Sequence, residues 1–504
     1  MLRYVLMFCL ALTSSAGAQA ETPAGAADKL DAWLDRFPDL GPGYAVVVVT
    51  ADDVLLNRTI GSRRASTGTA LTADTPMYIA SQTKAYLGLL AAILDERRVL
   101  PLDDTLADHW PDLELPGGLD PAAYTLRDLL THQVPVSARL ITTLEAYAMR
   151  VAPEDYPRLL ADHGEARKEG FEYANIGYNV YAAILESATG KPWQSWLDEV
   201  LFEPLGLRHT SARTSNFDAA ELSWGHIWQG DEDGWLDVPP KTDGMMQSAG
   251  GMFTSPGDMA RWLQLQLRGD ADANGIDAGT IRASHESYAA TGMEDRRNPY
   301  ELECSGYSLG WNLCDYKGHT VYIHGGGYTG MRSMMAFVPT LDVGIAAFSN
   351  SDNMTGWLTS RTITMYLQFL TEDEKAEAFA DLRVKVYPER IAKLLEIRTQ
   401  ALEEMEADAR WGSWEWQPEK AELREYEGAW RTDEPYLALD VRMDEDGLVV
   451  WWGDARRVLR PATRDVFGAQ SAPYEAMETV VFERDEAGDV TALVWDEQRY
   501  ERGD

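Results

Sequence analysis

Ser81 and Lys84 are the two residues of this 504-residue chain whose types and spacing suit covalent chemistry. A serine hydroxyl is a weak nucleophile at neutral pH and needs a base within hydrogen-bond reach. Residues three apart share one face of a helix, so we expect Lys84 to lie beside Ser81. Lysine acts as a base when desolvation or nearby positive charge lowers its pKa. The pair therefore predicts acyl transfer through a serine ester, and the alternative interpretation is a solvated surface turn.

The residues after this pair predict the helix that must hold it. Apolar side chains recur with helical spacing at Leu87, Leu90, Ala91 and Leu94. With a helix beginning at Ser81, the N–H of this serine lies in the first turn and is free to bind an oxyanion.

Two further motifs follow in the chain. Tyr173-Ala174-Asn175 is a Tyr-x-Asn sequence, and His324-Gly325-Gly326 stands where a Lys/His-x-Gly strand motif is expected. With the Ser-x-x-Lys motif, they make the chain resemble the serine β-lactamase-related hydrolases and penicillin-binding proteins, in the class C-like branch that includes esterases and D-amino-acid peptidases. The resemblance covers roughly residues 25 to 370. One departure is that Thr131-His132 is followed by Gln-Val-Pro-Val rather than Thr-Ser-Gly-Leu, which changes the loop beside the site.

The resemblance implies a role for each of these side chains in proton transfer. Ser81 is the expected nucleophile, and Lys84 and Tyr173 are the expected proton shuttle. A tyrosinate held between positive charges would take the serine proton and pass it to the leaving group. Asn175 would orient Lys84 or the amide of the substrate.

The resemblance also implies where the oxyanion and the substrate bind. The expected oxyanion hole is formed by the backbone N–H groups of Ser81 and Gly327, beside Gly326. His324 would lie at the edge of the site, where penicillin-recognising relatives usually have a lysine. Neutral histidine lacks the fixed positive charge that holds the carboxylate of a β-lactam, so we expect esters or amides to be better substrates.

A competing motif occurs at Gly306-Tyr307-Ser308-Leu309-Gly310, which matches the Gly-x-Ser-x-Gly nucleophile elbow. The elbow requires an oxyanion loop before the serine, and an acid and then a histidine well after it. Here the order is reversed, so we interpret the segment as a strand with Trp311 in the core. Two other functions remain open: a β-lactamase or penicillin-binding activity, and an inactive binding protein with the same fold.

The patterns along the chain predict an α+β fold with several units. Strands are expected at residues 45–50, 54–60, 320–323, 332–338 and 343–348, and the resemblance implies that they form one antiparallel sheet flanked by helices. Residues 104–240 predict an inserted helical subdomain. We assign residues 21–370 to the serine hydrolase domain, 371–420 to a helical connector with an apolar side at Ile391, Leu394, Leu395 and Ile397, and 421–504 to a small antiparallel barrel resembling a lipocalin-like domain.

Composition sets limits on partners and location. A formal net charge of −36 repels phosphate backbones and anionic lipid, so we expect no nucleic-acid partner. Residues 1–20 read as a secretory signal peptide ending in Ala-Gln-Ala, and no later segment is apolar and long enough to span a membrane, so we expect a secreted or periplasmic protein. Cys9 leaves with the signal. Cys304 and Cys314 then form a disulfide or remain two buried thiols, and no metal or cofactor is expected.

Overall fold

The computed structural model describes residues 21–269, 275–292, 302–371, 373–470 and 477–503. The expected signal peptide at residues 1–20, with Cys9, lies outside the described residues. Within them the predicted α+β architecture is confirmed: a large antiparallel sheet covered by helices is followed by a closed barrel.

The main domain contains fifteen described strands. They are β1 (Gly43–Val49), β2 (Val54–Arg64), β3 (Thr69–Ala70), β4 (Met77–Tyr78), β5 (Val136–Ser137), β6 (Glu165–Ala166), β7 (Gly225–Trp228), β8 (Trp235–Val238), β9 (Phe253–Thr254), β10 (Ala289–Ala290), β11 (Glu303–Tyr307), β12 (Asn312–Tyr316), β13 (His319–Tyr328), β14 (Met331–Val338) and β15 (Val343–Ser349). Nine of them form one antiparallel sheet in the order β10-β11-β12-β13-β14-β15-β1-β2-β3. The remaining six pair as β4-β9, β5-β6 and β7-β8.

The helices of the chain cover both faces of the sheet and build the inserted subdomain. They are α1 (Pro23–Leu34), α2 (Thr83–Glu96), α3 (Leu106–His109), α4 (Leu126–Leu130), α5 (Arg139–Tyr147), α6 (Tyr156–His163), α7 (Ile176–Thr189), α8 (Trp193–Leu197), α9 (Glu203–Leu205), α10 (Pro256–Arg268), α11 (Ala278–Ser284), α12 (Gly356–Leu370), α13 (Ala376–Ala407) and α14 (Lys420–Leu423). A π-helical turn, Asp198–Phe202, joins α8 to α9.

Each face of the sheet has its own hydrophobic core. One core packs α2, α7 and α10 against the alternate residues Val47 and Val49 of β1. The other packs α1, α12 and the start of α13 against Val46 and Val48, which point the opposite way. Because β1 is buried on both faces, it is a continuous apolar run rather than an alternating one.

The connector and the barrel follow the main domain. Ile391, Leu394 and Leu395 of α13 pack against the second core as expected, whereas Ile397 is exposed, so the prediction for Ile397 was wrong. The barrel closes through eight strands: β16 (Gly428–Arg431), β17 (Leu439–Asp444), β18 (Gly447–Trp452), β19 (Ala455–Thr463), β20 (Val466–Ala469), β21 (Glu478–Arg484), β22 (Val490–Trp495) and β23 (Gln498–Arg502). Aromatic and aliphatic side chains fill its interior, including Trp430 and Phe482.

The barrel docks on the helical subdomain through polar contacts and partly buried rings. Glu434 accepts two hydrogen bonds from Arg158, at 2.7 and 3.3 Å. The Tyr436 hydroxyl donates to Asp155 at 2.7 Å, and Trp452 packs against the core of the main domain. The barrel therefore contacts the same subdomain that forms one wall of the candidate site.

Candidate active site

Ser81 lies in a 3-10 turn, Ala80–Gln82, that runs directly into α2. The regular α-helix therefore begins at Thr83, two residues later than the sequence pattern indicates. Ala80 adopts a left-handed φ of 46°, which turns the chain sharply before the serine. α2 is buried from Thr83 to Leu94, so the turn stands on a rigid support.

Lys84 lies beside Ser81, completely buried, and contacts three oxygen atoms. Its Nζ is 3.3 Å from the Ser81 Oγ, 2.8 Å from the Asn175 Oδ1 and 2.6 Å from the Ala249 carbonyl oxygen. Burial holds the pKa of Lys84 well below its ordinary value, because removal from water penalises the ammonium form. A neutral amine has two N–H bonds and one lone pair. When the two N–H bonds are donated to Asn175 and Ala249, the lone pair points towards the Ser81 hydroxyl.

Tyr173 reaches the same group from the helical subdomain, in the segment just before α7. Its ring centroid lies 4.9 Å from the Lys84 Nζ, and its side chain is 43% exposed on the cleft. Desolvation raises the pKa of Tyr173, and the interaction with the Ser81 hydroxyl only partly opposes this shift. This shift favours the protonated phenol at neutral pH, and the tyrosinate role of Tyr173 stays a prediction.

His132 holds the Tyr-x-Asn motif in place, a structural rather than a catalytic role. Its Nδ1 accepts the N–H of Ala174 at 3.3 Å, and its carbonyl oxygen accepts the N–H of Glu172 at 3.1 Å. The rings of His132 and Tyr173 are 4.5 Å apart. Burial keeps the pKa of His132 well below its ordinary value, so the imidazole is neutral.

Strand β13 forms the opposite wall of the cleft. Gly326 packs against the chain just before Ser81, so closely that a Cβ on Gly326 would overlap the Ile79 carbonyl oxygen. Gly327 is the next residue and pairs with Arg332 of β14. The absence of a side chain at Gly326 is therefore required for the close approach of β13 to the serine turn.

His324 is buried rather than lying at the edge of the site, contrary to the expectation from the resemblance. Its Nδ1 donates to the Gly325 carbonyl at 2.7 Å, which leaves Nε2 to accept from the Tyr307 hydroxyl at 3.3 Å. Burial and the nearby Lys84 lower the pKa of His324 to about 3. The side chain is therefore neutral, and both of its ring nitrogens already have partners.

Ser308 of the competing motif lies in a turn that packs against α2. The serine is buried, and its hydroxyl donates to the Trp311 carbonyl at 3.4 Å. A Cβ on Gly310 would overlap the Lys84 carbonyl, so the absence of a side chain at Gly310 allows this turn to pack against α2. Gly306 and Tyr307 belong to strand β11 as expected, whereas Ser308, Leu309 and Gly310 form the turn to β12. Trp311 is buried as predicted.

Cys304 and Cys314 are joined by a disulfide in the structure. They are directly opposite each other on β11 and β12. The bond therefore crosslinks β12 to β11, the strand that carries Tyr307, which is the hydrogen-bond partner of His324.

The described residues contain neither a metal-ligand cluster nor a membrane-spanning helix. No cluster of three or more His, Cys, Asp or Glu side chains there has the arrangement of a metal site. No helix in these same ranges is both long enough and apolar enough to cross a bilayer.

The fold and the arrangement around Ser81 define a class of proteins with a β-lactamase/transpeptidase-like domain. The Beta-lactamase family profile matches residues 30–361, well over half of the chain. The chain belongs to this family, which confirms the resemblance seen in the sequence.

Several relatives are similar over the same domain. The unguisins hydrolase ungD' of Aspergillus campestris (strain IBT 28561) is 26% identical over 345 residues, covering 63% of this chain and 60% of the relative. Protein flp of Staphylococcus aureus (strain MW2) is 22% identical over 311 residues, covering 61% and 59%. The chain thus spans about three fifths of the length of these curated relatives.

Solved structures support the fold beyond this domain. The octameric penicillin-binding protein homologue from Pyrococcus abyssi matches 94% of this chain and 99% of its own, with a TM-score of 0.57 and 18% identity. The D-amino acid amidase from Ochrobactrum anthropi SV3 matches 70% of this chain and 99% of its own, with a TM-score of 0.55 and 20% identity. At such identities the likeness concerns the fold alone.

Proposed function

We propose that this protein is a serine hydrolase that acts through an acyl-enzyme on ester or amide bonds, of the esterase or D-amino-acid peptidase type. The observation that carries the proposal is the environment of the Lys84 Nζ. Two carbonyl-type acceptors take its N–H bonds, while the third neighbour is the Ser81 hydroxyl. This arrangement suits a neutral amine that removes the serine proton.

The steps follow from the positions of these groups. Lys84 takes the proton of Ser81 as Oγ bonds to the carbonyl carbon of the substrate. The carbonyl oxygen becomes an oxyanion, for which the N–H groups of Ser81 and Gly327 are the proposed donors. The bond to the leaving group then breaks, and the phenol of Tyr173 supplies the departing group with a proton that Lys84 restores. Water then attacks the acyl-enzyme by the same steps, which releases the acid and restores Ser81.

The names of the relatives agree with this chemistry. A hydrolase is found among the similar sequences and a D-amino acid amidase among the similar structures. Because His324 is buried and neutral, it favours substrates that have no carboxylate beside it. We therefore rank β-lactam hydrolysis below ester or amide hydrolysis. The intact Ser81, Lys84 and Tyr173 argue against an inactive binding protein. The expected signal peptide supports export as part of the proposal.

Covalent labelling tests the nucleophile. A fluorophosphonate probe should label the wild type and Ser308→Ala at Ser81, with the site located by peptide mass analysis, while Ser81→Ala should not react. Ser308→Ala is a matched control because both substitutions remove one hydroxyl. Loss of labelling in Ser308→Ala with retention in Ser81→Ala would overturn the assignment, and an unreactive wild type would favour a binding protein.

A further inference from the structure

Strand β13 gives the cleft two chemically different ends. His324 and Tyr328 lie on the same face of the strand, four residues and about 13 Å apart. The Tyr173 ring lies 6.0 Å from the His324 ring, so the proton donor is at the His324 end. The leaving group must receive its proton there. The acyl group, on the other side of the reacting carbon, therefore extends towards Tyr328.

The acyl end of the cleft is lined by tyrosine rings. Tyr328 stacks on Tyr147, with ring centroids 5.8 Å apart and planes inclined by 27°, and meets Tyr78 edge-on at 5.5 Å. The Tyr78 hydroxyl donates to the Gly250 carbonyl. A Cβ on Gly250 would lie only 3.6 Å from the Ser81 nitrogen, so the aromatic cluster is attached to the wall of the serine turn.

The backbone carbonyl groups on both sides of Tyr147 accept hydrogen bonds from distant parts of the chain. The Lys241 Nζ donates to the Ala146 carbonyl at 2.7 Å and lies 4.1 Å from the Tyr328 ring centroid. The N–H of Asp454, in the β18–β19 turn of the barrel, donates to the Ala148 carbonyl at 2.7 Å. Although its backbone is held in this way, the Tyr147 side chain is 49% exposed. A ring that is fixed but open can bind a ligand without a further cost of ordering.

We propose that Tyr147 and Tyr328 form the acyl-group subsite, and that this subsite selects substrates with an aromatic ring on the acyl side of the scissile bond. The inference rests on the proposed serine acyl transfer and names its substrate class. Aromatic rings gain from offset stacking or edge-on contact with other rings in addition to the gain from burying apolar surface. Phenylacetyl esters and the amides of aromatic amino acids belong to this substrate class.

The test separates the acyl group from the leaving group. Wild type, Tyr147→Ala, Tyr147→Leu and Tyr147→Phe are compared on p-nitrophenyl acetate and p-nitrophenyl phenylacetate, which share a leaving group. We expect the wild type to prefer phenylacetate in kcat/KM. Tyr147→Ala and Tyr147→Leu should lower that preference about five- to tenfold, since one ring–ring contact is worth up to about a tenfold change. Tyr147→Phe retains the ring and should keep the preference.

A second series holds the acetyl group constant and changes the leaving group from p-nitrophenol to phenol. The ratio for this pair should be the same in all four proteins. An unchanged acyl preference in Tyr147→Ala and Tyr147→Leu, or an equal loss in Tyr147→Phe, would overturn the subsite. Fluorophosphonate labelling of Ser81 is measured in parallel. Absence of labelling in the wild type would refute the hydrolase function itself, whereas normal labelling without an acyl preference would refute only the subsite.

Discussion

Asn175→Asp would place a carboxylate where an amide oxygen now lies 2.8 Å from the Lys84 Nζ. The substitution preserves size and shape but adds a negative charge. In the proposed mechanism Lys84 must be neutral to take the serine proton. A lysine with an ordinary pKa of about 10.4 is neutral in only about one molecule in several thousand at pH 7, so the burial that lowers the Lys84 pKa is essential for the rate.

The size of the effect follows from the charge and the distance. An opposite charge within hydrogen-bond range raises the pKa of a lysine by about 1–3 units, because it stabilises the ammonium form. Each unit removes nine tenths of the neutral amine on the acidic side of the pKa. At pH values below the pKa of Lys84 we therefore expect kcat/KM to fall about 10- to 1000-fold in Asn175→Asp, with activity recovering as the pH rises.

The assay is the pH dependence of kcat/KM for p-nitrophenyl acetate, corrected with Ser81→Ala as the blank for spontaneous hydrolysis. The acid limb of the profile should move to higher pH by about 1–3 units, which is the expected shift in the pKa of Lys84. Asn175→Leu is the control, since it removes the acceptor without adding charge and should reduce the rate without raising the limb. A loss in Asn175→Asp that is equal at every pH, with the limb unmoved, would refute Lys84 as the titrating base.

Four further outcomes are expected. Tyr173→Phe should lower kcat for amides roughly a hundredfold or more, and less for p-nitrophenyl esters, whose leaving group departs without a proton; normal amide turnover would remove Tyr173 from the mechanism. Nitrocefin hydrolysis should have a lower kcat/KM than the best ester, because the neutral, buried His324 offers no charge to a carboxylate; the reverse order would contradict this. Burial lowers the pKa of Lys241 to about 7, so above pH 7 the unfolded chain holds one more proton than the folded one. The free energy of unfolding of the wild type should then rise relative to Lys241→Met by about 1.4 kcal/mol per pH unit up to about pH 10 in urea titrations, and parallel curves would count against the shift. Removal of residues 421–504 should leave a domain that still labels at Ser81 but has a lower Tm, and an insoluble or unreactive product would show that the barrel is required.

Local sequence determined much of the fold, because the spacing of apolar residues that predicts a helix or a strand is visible within a few residues. The helical spacing after Ser81 predicted α2, and the apolar run at residues 45–50 predicted β1, since burial of alternate or clustered side chains drives each element. The barrel was evident from period-two alternation between turn signals, and the structure closes it with eight strands. Ile397 was predicted wrongly because it comes six residues after Ile391, which places it to one side of the helical stripe formed by Leu394 and Leu395.

For the candidate site, the sequence by itself determined which residues are present, and the order of three motifs brought Ser81, Lys84, Tyr173 and Asn175 into one hypothesis. Their protonation was decided by tertiary structure. Lys84 is a poor base on a solvated helix and a suitable one only because the Ala249 carbonyl and the subdomain enclose it. For His324 the sequence already indicated a mostly neutral side chain, and burial beside Tyr307 lowers its pKa further.

The acyl end of the cleft was decided entirely by the folded structure. Lys241 comes 94 residues after Tyr147, and Tyr328 comes 87 residues after Lys241, so no local pattern connects them. They meet because the sheet, the inserted subdomain and the barrel converge at one end of β13. Contacts between distant segments depend on how whole elements pack, and a single sequence records the residues of such a contact without recording the contact itself.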